Sequence, residues 1–156
     1  MCKKCWTLVV ILLVAVGYMV YAFVLAGKTV ETADGRQALL VNEAEKDLLL
    51  TEMRGFLVAV QQIGDGVSKE DLEQVAKSAR QVGAAAQQAV PTSLTAKLPL
   101  EFKKLGFDTH RKFDELALDA EQLGDPQHSL KQLTGLMNNC IACHATYKLK
   151  VVADSN

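Results

Sequence analysis

From Trp6 to Ala26 the chain runs 21 residues without a charge, WTLVVILLVAVGYMVYAFVLA, and no other feature of the sequence constrains the fold so tightly. Wound as one α-helix at about 1.5 Å per residue, the run is roughly 32 Å long, enough to cross a bilayer core. Lys3 and Lys4 precede it, and basic flanks stay on the cytoplasmic side. The expectation is a single-pass helix in a bacterial inner membrane, with the rest of the chain facing the periplasm. A cleaved signal peptide is the alternative. Val24-Leu25-Ala26 before Gly27 resembles a small-residue cleavage site, and cutting there leaves a soluble periplasmic product. The run is longer than the apolar core of about 7–15 residues usual for a signal. Cys2 and Cys5 flank the lysines and read as reduced thiols, lipidation being the weaker reading.

The remainder has the size of one domain. Beyond residue 26, 15 Lys and Arg stand against 18 Asp and Glu, with no basic cluster, so a nucleic-acid partner is not expected. Three prolines and ten glycines in 156 residues favour long helices over strands and turns. The expected organisation is an anchor or signal at 1–26, a polar tether at 27–37, and a four-helix domain at 38–156.

Apolar spacings of three and four mark the helices. The first, about 38–63, carries Leu49, Leu50, Met53, Phe56, Leu57, Val60 and Ile63, and Gly64-Asp65-Gly66 is expected to stop it. Ser68 offers a cap for the second, which carries Leu72, Val75, Ala79, Val82, Ala86 and Ala89 and ends at Pro91. Its small face, Gly83 to Ala86, admits a neighbouring helix or a flat ligand, and a homodimer would use the same surface. The third, about 99–123, carries Phe102, Leu105, Phe113, Leu116, Ala120 and Leu123. Gly124 suits the position after its end, and Asp125-Pro126 is a start signal for the fourth. That helix carries Leu130, Leu133, Met137, Cys140, His144, Tyr147 and Val151. The expected fold is all-α, an up-down-up-down bundle preceded by one membrane helix.

Cys140-Ile141-Ala142-Cys143-His144 is a CxxCH motif. On a helix, positions 140, 143 and 144 share a face. Two thiols there can form thioethers with the vinyl groups of a haem, and the imidazole can reach the iron, which makes the motif a c-type haem attachment signature. A thiol–disulfide site usually accompanies a βαβ pattern, absent here. A structural zinc site needs a second ligand pair, and Cys2 and Cys5 are expected across the membrane.

With CxxCH in the last of four helices, the chain resembles the class II c-type cytochromes, the family of cytochrome c-prime and cytochrome c-556. The likeness covers about residues 38–150. It implies one covalent haem c held by Cys140 and Cys143, with His144 as proximal iron ligand. It also implies that the first bundle helix covers the distal face, with Leu50 over the iron, Lys46 near a propionate, and Lys148 beside the proximal histidine. Low-spin relatives have methionine at the distal position, and Met53, one turn on, is the candidate sixth ligand. Met137 is expected at the porphyrin edge, Phe102, Phe107 and Phe113 in the core or against haem, and His110 and His128 at the surface.

The function expected is electron transfer with periplasmic or membrane redox partners, not enzymatic turnover. A five-coordinate haem binding NO or CO is the alternative, and a thiol–disulfide redox protein is a weaker one.

Overall fold

The computed structural model describes residues 3–153, and Cys2 lies outside them. The first helix, α1 (Lys3–Val20), is α-helical for 18 residues, after which the chain winds into a π-helix over Tyr21–Ala26. This change of winding corrects the expected anchor. The α-helical part is about 27 Å long and includes two lysines, less than the roughly 30 Å of a hydrocarbon core. Among the described residues no helix is long and apolar enough to cross a membrane, so a single-pass inner-membrane topology is not supported.

The stretch at 27–37 is not a tether. Gly27 ends the π-helix at φ 63°, and a Cβ there would lie 2.4 Å from the Pro99 nitrogen. Only glycine fits that left-handed, crowded position. Lys28 N–H donates to the Lys97 carbonyl at 2.6 Å. Strand β1 (Thr29–Glu31) then pairs antiparallel with β2 (Gln37–Val41), and β2 pairs parallel with β3 (Tyr147–Val151) from the far end of the chain. The fold is mostly helical with a three-stranded sheet, and the all-α expectation is corrected accordingly.

Helix α2 (Glu43–Ser68) opens on a capping box, in which Asn42 Oδ1 accepts from Glu45 N–H and Glu45 Oε2 accepts from Asn42 N–H. It runs through Gly64–Gly66 instead of stopping there. Gly66 is buried where a Cβ would meet Val75 at 2.9 Å, so this glycine serves close packing against α3 (Leu72–Arg80), which Asp71 caps in place of Ser68. The second expected helix ends early. A 3-10 helix follows over Ala84–Ala89, then the short α4 (Thr92–Lys97). The glycine at 83 has a local reason: a Cβ there would meet Asp114 Oδ1 at 1.9 Å, and Asp114 Oδ2 accepts from Ala84 N–H.

Helix α5 (Leu100–Leu123) ends at Gly124 with φ 62°, and Asp125 caps α6 (Pro126–Thr146) by accepting from Gln127 and His128 N–H. Both signals read as expected. In the helical body α2 packs on α3 and α6, and α5 packs on the same two. Phe56, Ile63, Val75, Phe113, Leu116, Leu133 and Leu136 fill the space between them. Under the sheet a second cluster gathers Leu39, Val41, Leu49, Leu94, Leu98 and Tyr147.

Candidate functional site

Helix α6 carries CxxCH to the junction of the two clusters. Cys140 is half-buried against the helical core, and Cys143 is half-buried against the cluster under the sheet. His144 is exposed, and the helix ends two residues later. Tyr147 then opens β3, paired in register with Gln37. The sheet therefore fixes the chain directly behind the motif.

A cleft of about 440 Å³ opens beside His144. Helix α2 contributes Lys46, Leu49, Leu50 and Met53, and α6 contributes Cys143 and His144. Strand β3 adds Tyr147, Lys148, Leu149 and Val151, α5 adds Phe102, and the β2 side adds Arg36 and Leu39. Phe102 meets Tyr147 edge to face, with ring centroids 5.3 Å apart. Cys143, His144, Leu50, Met53, Lys46 and Lys148 thus line one space. Cys140 is not among the lining residues and lies one turn back toward the helical core.

The cleft has apolar walls and three cations. Lys46 pairs with Glu43 at 3.0 Å, while Arg36 and Lys148 both pair with Asp34, at 2.8 and 3.1 Å. The Thr32 hydroxyl, followed by Arg36 and Lys148, holds the Asp34 carboxyl well below the usual carboxylate range. Sequence reasoning missed Arg36 because its segment read as a tether.

Burial raises the Cys140 thiol, and it pushes Cys143 up to about 11 with the neighbouring Cys140 adding to the effect. Neither thiol has the lowered pKa of a redox-exchange cysteine. Among the described residues no group of three or more His, Cys, Asp or Glu side chains converges to hold a bare metal ion. A haem iron would ask less of a protein, since a porphyrin supplies four of its ligands.

Several placements differ from those expected. His110 is 3% exposed, not at the surface. His128 is only partly exposed, its Nε2 3.1 Å from Asp119. Met137 is exposed and outside the cleft lining, as are Leu130 and Phe107. The buried face of α6 is Ser129, Leu133, Leu136 and Asn139, turned from the expected stripe. On α2, Leu57 is 69% exposed and Ala59 is buried in its stead.

No protein-family model, characterised protein or solved structure matches the chain.

Proposed function

We propose that the chain is a monohaem c-type cytochrome that carries single electrons between redox partners. The observation that carries the reading is the single cleft containing Cys143, His144, Met53 and three cations. Apolar walls with a cationic margin suit a flat macrocycle with two carboxylates, and the donor set suits its iron. Bound there, a haem would supply the one-electron iron couple.

The chain's own groups do the rest. The thiols of Cys140 and Cys143 would hold the haem, each by addition across one vinyl double bond, which places the thiol hydrogen on the other vinyl carbon and consumes no oxidant. His144, on the same helix turn, would hold the iron through its imidazole. Leu39, Leu49, Leu50 and Phe102 exclude water, and Arg36, Lys46 and Lys148 balance the carboxylates. Met53 is the one thioether in the cleft lining and the candidate sixth ligand. A thioether from Met53 together with His144 would raise the potential and suit electron transfer.

Leu50 supports a second reading. It shares the α2 wall with Met53, and an iron facing Leu50 would stay five-coordinate and open to NO or CO. The thiol–disulfide reading draws no support from the two raised thiols.

Acid–acetone extraction tests the proposal. Wild-type protein should keep its colour through extraction, and Cys140→Ser with Cys143→Ser should lose it. A double variant that holds haem as firmly as wild type would contradict the thioether assignment.

A further inference from the structure

One stretch of α5 makes polar contacts with the helices on both sides of the cleft. His110 is buried and reaches α2, where its Nε2 lies 3.0 Å from Glu52 Oε1. Its Nδ1 donates to the Val82 carbonyl at 2.8 Å, with the Gly83 carbonyl at 3.2 Å. The Phe56 ring stands against it, centroids 4.9 Å apart. On the other flank Asn139 of α6 is buried, and its Nδ2 donates to Asp108 Oδ2 at 2.8 Å and to Thr109 Oγ1 at 3.2 Å. Its Oδ1 accepts from Lys112 Nζ at 3.0 Å. Lys112 and Arg111 also pair with Asp108.

Such groups do not stabilise a core more than well-packed apolar side chains would. Directional bonds do restrict sliding and rotation of the elements they join. The places they hold are informative. Glu52 precedes Met53, and Asn139 precedes Cys140. Adjacent helical positions differ by about 100° around the axis, so holding Glu52 toward α5 sets where Leu50 and Met53 point. Holding Asn139 sets the same for the CxxCH turn.

We propose that residues 108–112 of α5 form a positioning element for the cleft: His110 fixes the rotation of α2 through Glu52, and Asp108, Thr109 and Lys112 fix the end of α6 through Asn139. The walls bearing Met53 and His144 thereby keep a set spacing. The proposal deepens the haem reading and rests on it.

The test uses the full chain and four variants. Glu52→Leu and Asn139→Leu remove the directional bonds at near-constant volume. Glu52→Gln keeps an oxygen acceptor for His110, and Ile63→Val is a plain core substitution on α2. The first readout is CO combination with the reduced haem protein. Glu52→Leu and Asn139→Leu should each change its rate by about tenfold or more. Glu52→Gln should recover most of the wild-type rate, and Ile63→Val should leave it unchanged. The second readout needs no haem. Amide exchange at 50–54 should speed up in Glu52→Leu and at 140–144 in Asn139→Leu, with Glu52→Gln affected less than Glu52→Leu. Wild-type protein without covalent haem would contradict the haem reading alone, and exchange would still decide the positioning element. Leucine variants indistinguishable from Ile63→Val would overturn the proposal.

Discussion

The Lys148 ammonium lies 3.1 Å from a carboxylate oxygen of Asp34, across 114 positions of sequence. Arg36 pairs with the same carboxylate oxygen at 2.8 Å. The first strand pair and the last strand are therefore tied at the margin of the cleft that holds His144.

Under the haem reading, this tie would set the charge beside the iron. Asp34→Asn removes a negative charge next to Arg36 and Lys148, and added positive potential favours the reduced iron. The midpoint potential should rise in Asp34→Asn and fall in Lys148→Gln. Redox titration that finds no shift, or the reverse order, would argue against a haem at this margin.

Under the haem reading, Met53 and Leu50, about 4.5 Å apart along α2, would compete for the place facing the iron. Under the electron-carrier reading, Met53→Leu abolishes the near-infrared methionine–iron band and speeds CO binding. A wild-type protein that is already high-spin, binds CO rapidly and is unaffected by Met53→Leu would establish the Leu50 reading instead.

The His110–Glu52 contact should make stability depend on pH. Burial, the largest single influence, pulls His110 down, but its bonds to Glu52 and to the Val82 carbonyl together raise it above its ordinary value. A raised folded-state pKa stabilises fully below the unfolded value of about 6.5, and the gain is lost as pH climbs through the folded value. In denaturant titrations of the haem-free protein, Glu52→Gln should cost about 1–3 kcal/mol at pH 5.5–6. The deficit should narrow toward pH 9. A cost independent of pH would show that charge has no part in the contact.

Two glycines should respond unequally to alanine. At Gly27 the added Cβ meets backbone at 2.4 Å and φ is 63°, so the sheet's entry must move. At Gly83 it meets only the movable Asp114 carboxylate, and the main loss is the bond to Ala84 N–H. Chemical denaturation should give about 1 kcal/mol for Gly83→Ala, the worth of one such bond, and a larger loss for Gly27→Ala. Equal costs would contradict this account of the Gly27 turn.

The motif and the turn at Gly124–Pro126 were legible because each depends on a few residues with fixed local chemistry. The sheet was not. Tyr147-Lys148-Leu149-Lys150-Val151 alternates apolar and basic residues, a strand pattern. The same stretch also continues the three-and-four spacing from His144, and its partner, β2, lies more than a hundred residues away. Ala38 to Val41 is too short a run to distinguish strand from helix. His110 was concealed by Arg111 and Lys112, although His110, Phe113, Leu116 and Ala117 follow the spacing of the buried face. Nothing in WTLVVILLVAVGYMVYAFVLA signals the change of winding at Tyr21.

The central claim is a haem held by Cys140 and Cys143, and peptide mapping tests it most directly. Protein is denatured, digested without reducing or alkylating reagents, and the fragment containing Cys140–His144 is weighed. The account predicts a fragment heavier by one haem and lacking two free thiols. A fragment of unmodified mass, with both cysteines open to alkylation, would contradict it.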